Sequence, residues 1–274
     1  MSLFKIDQKK CKRDGICALE CPAQIIVHAD KKSFPSLLEN GEDFCINCGH
    51  CVAVCPYGAL TLSTMPLADC PPIQKKLLPD ADTVKRFLQA RRSIRQYKGK
   101  VVSRKLLTEL IDTARYAPTA SNAQQVQWTV FQNPEDVRKL AGMVVDFTKI
   151  ILPVMTDLER ARRMQRLVDG WANGKDGVMR GAPHLIVVHS PADLPFPAAD
   201  CAIALTYLEL YAYSNGLGTC WAGYFTVAAG MHEPLIKALD LPVGHKCFGA
   251  VMLGYPKYSY HRIPRRNKPL ITWR

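Results

Sequence analysis

No apolar run in this 274-residue chain is long enough to span a bilayer. The longest, Cys201 to Tyr213, is interrupted by Glu209 and reads as a buried helix rather than a membrane segment. The N-terminal residues lack the charged start and apolar centre of a secretory leader, so a cytoplasmic protein is expected. Acidic side chains are few, 24 against 36 basic ones, giving a formal charge of +12. The excess does not point to nucleic acid, because the basic residues show no aromatic interleaving and no binding motif. An anionic ligand and an acidic partner fit better. The seven histidines, His28, His50, His184, His189, His232, His245 and His261, show no metal-binding spacing and read as structural or surface groups. No helix-turn-helix pattern and no low-complexity segment is present.

Cysteine is plentiful. Of eleven, seven fall in two runs and four stand apart, at Cys70, Cys201, Cys220 and Cys247. That distribution suits an intracellular metal protein rather than a disulfide framework. Cys45, Cys48, Cys51 and Cys55 precede Pro56 in the run that wraps a four-iron, four-sulfur cubane. The competing reading is a zinc ribbon or scattered core cysteines. Three thiolates of such a run converge on one cluster, and the fourth, before proline, ligates a second.

Its partner runs from Cys11 to Pro22. Cys11, Cys17 and Cys21 match cysteines of the first run, and Asp14 stands where its second cysteine falls. By the crossed rule Cys21 joins Cys45, Cys48 and Cys51 on one 4Fe-4S cluster. Cys55 joins Cys11 and Cys17 on the other, with Asp14 a candidate oxygen ligand. This second cluster is either four-iron with one carboxylate ligand or 3Fe-4S. A carboxylate is a harder ligand than thiolate and makes that corner labile. The alternative for Asp14 is a turn residue before Gly15. The stretch 3–65 resembles the two-cluster ferredoxin domain.

The organisation is that of two domains. Residues 1–70 form the iron–sulfur domain, with 7 Lys+Arg against 8 Asp+Glu, a net of −1; the rest of the chain carries +13. Residues 71–84 read as a linker broken by Pro71 and Pro72, and 85–274 as the second domain. In it the spacing predicts a helix over Thr83–Arg91, a helix capped by Ser103 that ends before Pro118, and a helix over Pro197–Ser214 stopped by Asn215-Gly216. Strands are expected at Trp128–Phe131, Leu185–His189 and Phe248–Leu253. Trp171 is expected in a loop spanning 169–176. Helices with a few separated strands give an α+β class.

Arg91-Arg92-Ser93-Ile94-Arg95 places guanidinium groups and a hydroxyl where they can converge on a phosphate. Ala117-Pro-Thr-Ala-Ser-Asn122, Gly216-Leu-Gly-Thr-Cys-Trp-Ala-Gly223, Gly254-Tyr-Pro256 and Arg262-Ile-Pro-Arg-Arg266 follow in order. Gly216 and Gly218 follow a helix, which excludes a Rossmann fingerprint. Together these segments resemble the FMN-dependent nitroreductase family over about 85–274, and the joined arrangement is similar to its ferredoxin-fused subgroup. The resemblance implies a three-layer domain with a mixed sheet, a homodimer and FMN at the subunit interface.

It also implies roles. Arg91, Ser93 and Arg95 bind FMN, with Arg92 contributing through its backbone. Pro118, Thr119 and Asn122 belong to a loop that the second subunit lays against the flavin. Ala222 and Gly223 offer backbone amides to the ring, and Arg262, Arg265 and Arg266 lie near the phosphate. The family's Gln-Pro-Trp after the asparagine is absent here, where Gln124-Gln-Val-Gln-Trp128 stands. No side-chain catalyst is expected, since the flavin does the chemistry. Cys220, Trp221 and Tyr224 are pocket candidates, Cys220 as a packed residue beside the flavin. Phe225 is either a pocket wall or core. The expected activity passes electrons between iron–sulfur clusters and FMN to reduce an electron-poor small molecule of the nitroaromatic or quinone type. The donor would be an external ferredoxin or NAD(P)H. The rivals are a reductase or dehydrogenase of a specific metabolite, and a non-enzymatic electron carrier or redox sensor.

Overall fold

The structure, a computed structural model, describes residues 3–28 and 30–274. The chain divides into two units, Met1–Pro79 with Ser121–Ala123, and Asp80–Ala120 with Gln124–Arg274. The break after Pro79 falls inside the expected linker 71–84, because Asp80 caps the next helix.

In the first unit, strand β1 (Phe4–Ile6) leads to helix α1 (Ile16–Leu19). Strands β2 (Ile26–Val27) and β3 (Ser36–Leu37) form a small antiparallel hairpin. Helix α2 (His50–Val54) precedes β4 (Leu60–Leu62), which pairs antiparallel with β1. Gly15 and Gly49 each step into the left-handed region, at φ 74° and 71°, immediately before α1 and α2. Glycine makes that step without steric cost. The two cysteine runs are therefore a structural repeat. Ile25, Ile26, Val52, Leu60 and Leu62 form a small core that also buries Cys17 and Cys51.

The second unit opens with α3 (Ala81–Ala90), where Asp80 accepts the Thr83 amide proton at 2.9 Å. That cap starts the helix two residues before the expected Thr83. Helix α4 (Arg104–Ala114) is capped by Ser103 as expected. Strand β5 (Gln127–Phe131) leads to α5 (Pro134–Ile151) and α6 (Leu158–Ala172). Then come β6 (His184–Pro191), α7 (Pro197–Ser214), β7 (Gly218–Trp221), α8 (Gly223–Ala229), α9 (Glu233–Leu239) and β8 (His245–Gly254).

The sheet order is β5-β6-β8-β7, and every ladder is antiparallel. The parallel component of the expected mixed sheet is an isolated bridge between Ser93 and Thr219. Side chains of a strand alternate between faces. Leu185, Val187, Ala250 and Met252 accordingly pack with residues of α5, α8 and α9. Ile186, Val188, Val251 and Leu253 pack with residues of α4 and α7. Both faces of β6 are covered, which is why its sequence is an unbroken apolar run rather than an alternating one. The result is a three-layer α+β unit.

Trp171 corrects the expected loop over 169–176. It lies in the last turn of α6, with the Arg138 guanidinium 5.1 Å from the ring centre. The helix runs past Gly170 because Trp171 packs against the core. Phe225 is fully buried core, not a pocket wall. No helix among the described residues is long and apolar enough to cross a membrane.

Candidate functional site

Each of two cavities in the first unit gathers thiols from both cysteine runs. Cys21, Cys45, Cys48 and Cys51 line one cavity. Cys11, Cys17 and Cys55 line another, with Asp14 on its wall. All eleven cysteines are free thiols. No three candidate ligands among the described residues meet at a single-ion site. The thiols surround a space, as a cluster of several irons demands. Burial pushes the Cys51 thiol up to about 11, and the neighbouring Cys48, Cys21 and Cys45 push in the same direction. Burial likewise raises Cys17, with Cys11 and Cys55 adding to it. Thiols crowded together out of water hold their protons; positive irons make them thiolates. Backbone amides supply part of the compensation: Arg13 N–H meets Cys11 Sγ at 3.4 Å and Ala59 N–H meets Cys55 Sγ at 3.3 Å. The donor set fits two iron–sulfur clusters.

Asp14 is exposed, and its Oδ1 accepts the Ile16 amide proton at 3.3 Å, across the turn into α1. The turn role and the ligand role involve the same carboxylate.

In the second unit the run Arg91–Tyr97 lies along the ends of two strands. Ile94 N–H donates to the Thr219 carbonyl at 2.8 Å, and Tyr97 bridges to Pro256. A Cβ on Gly218 would sit 2.4 Å from Ile94 Cγ1, so this close approach needs glycine. The strap brings Arg95 to the cavity lined by Cys220, Trp221, Ala222, Gly223 and Tyr224. Gly223 opens α8, and a Cβ built on it would meet nothing within 4 Å. A helix's first amides have no helical carbonyl to meet, so they suit an acceptor-bearing ring.

Glu209, noted in the sequence only as an interruption of an apolar run, organises this region from α7. Its carboxylate is buried. Oε1 accepts from Thr219 Oγ1 at 2.7 Å and lies 3.6 Å from Arg91 Nη1, while Oε2 accepts from Trp221 Nε1 at 2.8 Å. Arg91 Nη1 is buried without a hydrogen bond, as is Arg92 Nε. Arg91 Nη1 has only the Glu209 ion pair and Arg92 Nε no partner, so both retain hydrogen-bonding capacity for an anionic group such as a phosphate.

Burial raises the Cys220 thiol, while Arg95 and Arg180 pull it back down. Cys220 is 5 % exposed, a packed thiol rather than a nucleophile. Arg180 was missed by sequence reasoning. It stands at φ 57° in a turn shaped by Asp176, whose carboxylate accepts the amides of Val178, Met179 and Gly181. Arg160 and Arg163 of α6 line the same cavity and were also missed.

The remaining expected FMN residues lie elsewhere in the chain. Arg92 and Arg262 line a separate groove beside Tyr255 and Tyr260. Arg265 and Arg266 are exposed in the C-terminal segment. Pro118, Thr119 and Asn122 do not line the Arg95 cavity. Thr119 Oγ1 accepts the Gln124 amide proton at 3.0 Å, and Asn122 Nδ2 donates to the Ile46 and Asn47 carbonyls. Ser121, Asn122 and Gln124 all have positive φ, so the loop here takes a tight left-handed course in place of the family's Gln-Pro-Trp.

This fold and site define a flavin-type oxidoreductase joined to an iron–sulfur domain. A nitroreductase family model matches residues 88–255 and a 4Fe-4S dicluster domain model matches 9–60. The chain belongs to the nitroreductase family and is an FMN-dependent oxidoreductase with an N-terminal ferredoxin-like domain. It is 27% identical over 183 residues to the FMN reductase [NAD(P)H] of Bacillus subtilis, a match covering 64% of this chain and 66% of that protein. It is 28% identical over 199 residues to the NADH dehydrogenase of Thermus thermophilus, covering 67% of this chain and 92% of that one. Among solved structures, the nitroreductase with bound FMN from Desulfitobacterium hafniense superposes with a TM-score of 0.56 at 25% identity, over 71% of this chain and all of that one.

Proposed function

We propose that the protein passes electrons between its two iron–sulfur clusters and FMN to reduce an electron-poor organic acceptor of the nitroaromatic or quinone type. The observation that carries the reading is the pairing of two thiol-lined cavities in the first unit with an arginine-lined cavity at the Cys220–Tyr224 turn in the second. One-electron and two-electron carriers on one chain make an interconverter. FMN, when bound, exchanges one or two electrons and so matches one-electron clusters to a two-electron acceptor.

The chain's own residues would do the following. Arg91 meets the phosphate, with Arg92 contributing through its backbone, Ser93 adding a hydroxyl and Arg262, Arg265 and Arg266 adding charge from the C-terminal segment. Arg95 and Arg180 stabilise negative charge on the reduced ring, and the Ala222–Gly223 backbone donates to it. Glu209 holds Arg91 and Trp221 in place. Pro118, Thr119 and Asn122 come to the flavin from the second subunit of a homodimer. Cys21, Cys45, Cys48 and Cys51 ligate one 4Fe-4S cluster. Cys11, Cys17 and Cys55 ligate the other, with Asp14 on its fourth iron, or on none if it is 3Fe-4S. NAD(P)H as the donor fits the names of the relatives; ferredoxin as the alternative donor and a cytoplasmic location belong to the same reading.

The test is an anaerobic absorption titration with NADH or NADPH in one cuvette and reduced ferredoxin in another, followed by addition of a quinone. Bleaching of the flavin band with either donor and its recovery on quinone addition is expected. A flavin that bleaches but is not reoxidised by any quinone or nitro compound would favour an electron carrier instead.

A further inference from the structure

The Arg95 cavity carries more positive charge than a flavin needs. Arg95, Arg160, Arg163 and Arg180 all line it, and no Asp or Glu does. Among the described residues none of these four guanidinium groups is in an ion pair. Arg95 and Arg180 have a use, since both act on the Cys220 turn where the ring's charge would develop. The phosphate has Arg91 and Arg92 at the strap. Arg160 and Arg163 are left. They stand three residues apart on α6, hence on one face, while Met164 and Leu167 of the same helix are buried in the core. Arg160 and Arg163 are both exposed, and an anion between two like charges on one helix face offsets their mutual repulsion. Arginine forks suit carboxylate and phosphate oxygens in particular.

We propose that Arg160 and Arg163 form a subsite for a carboxylate or phosphate group on the molecule that meets the flavin. This rests on the reading of the cavity as the flavin site. It narrows the substrate class from electron-poor acceptors in general to a reactant bearing an oxyanion.

The test uses the holo-protein and two acceptors that differ by one charge, 4-nitrobenzoate and nitrobenzene. The Arg160→Gln/Arg163→Gln double variant is expected to lower the ratio of their kcat/KM values, charged over neutral, by about tenfold to a hundredfold, the usual worth of a charged hydrogen bond. Arg160→Lys/Arg163→Lys should recover part of it, as point charges without the fork. A fall confined to the preference for NADPH over NADH would also uphold the subsite and assign its anion to the donor's phosphate. Both ratios equal to those of the wild type would overturn it. Loss of FMN from the double variant would overturn it too, because the two arginines would then be holding the flavin phosphate. If the wild type turns over none of these molecules, the functional reading fails by itself. Calorimetric binding of 4-nitrobenzoate then decides the subsite: weaker binding to the double variant upholds it, and equal binding overturns it.

Discussion

Glu209 Oε2 accepts a hydrogen bond from Trp221 Nε1 at 2.8 Å, joining the middle of α7 to the turn that precedes α8. The same carboxylate holds Thr219 and faces Arg91. Removing it leaves two donors and a mostly buried guanidinium without a partner. Glu209→Ala should destabilise the second unit by about 3 kcal/mol. It should also loosen FMN, because Arg91 would lose its anchor. Glu209→Gln keeps an acceptor and should cost less. Urea unfolding followed by tryptophan fluorescence, with flavin content after dialysis, checks both effects. Equal stability of all three proteins would remove Glu209 from its organising role.

The crossed cysteine arrangement predicts which cluster each thiol serves. Cys55→Ala lies in the second run but should abolish the Cys11 and Cys17 cluster. Cys21→Ala lies in the first run but should abolish the Cys45, Cys48 and Cys51 cluster. Each variant should lose about half of its iron. The two should leave different EPR signals after reduction. If Cys55→Ala instead kept the cluster beside Asp14, and Cys21→Ala kept the cluster of Cys45, Cys48 and Cys51, the runs would not cross.

Asp14 accepts an amide proton at the entry to α1 and lines the Cys11 cavity. Asp14→Cys should give two uniform four-iron clusters, because thiolate is the softer ligand. EPR spectra of the reduced wild type and variant should then differ. Matching spectra would leave Asp14 with the turn role alone.

Stability should fall in mild acid. Burial depresses the proton affinity of His184 and of His189, the latter aided by His245 2.9 Å away. His184 Nε2 accepts the Val102 amide proton at 2.8 Å, which protonation would forbid. The unfolded chain takes up these protons below about pH 6.5 and the folded chain does not. The stabilisation is thus complete above that pH and lost as pH falls through it, by up to about 1.4 kcal/mol per pH unit for each histidine. All four tryptophans, at 128, 171, 221 and 273, lie in the second unit, so their fluorescence reports it selectively. Urea midpoints that do not change between pH 7.5 and pH 5.5 would contradict this.

Some of this was legible in the sequence and some was not. The cysteine spacing foretold which thiols share a cavity, because short turns leave few ways to gather them. Helix α7 was legible to the residue, with proline at its start and Asn215-Gly216 at its end. Trp171 was misread because glycine at 170 and 174 suggested a loop, and the tertiary contacts that extend α6 are not local. Arg160 and Arg163 carry no signal in the sequence that sets them apart; the placement of α6 beside the Cys220 turn distinguishes them. Glu209 looked like a flaw in an apolar run. A lone carboxylate inside such a run is the one signal that could have marked it, since burial of a charge demands partners.

Electron exchange between clusters and flavin is measured by anaerobic stopped-flow reduction with reduced ferredoxin, watching the flavin and cluster bands together. Both bands are expected to bleach, and Cys51→Ala, which breaks one cluster, is expected to slow the flavin band in particular. A flavin band that bleaches at the same rate in wild type and variant, with the clusters left oxidised, would contradict it.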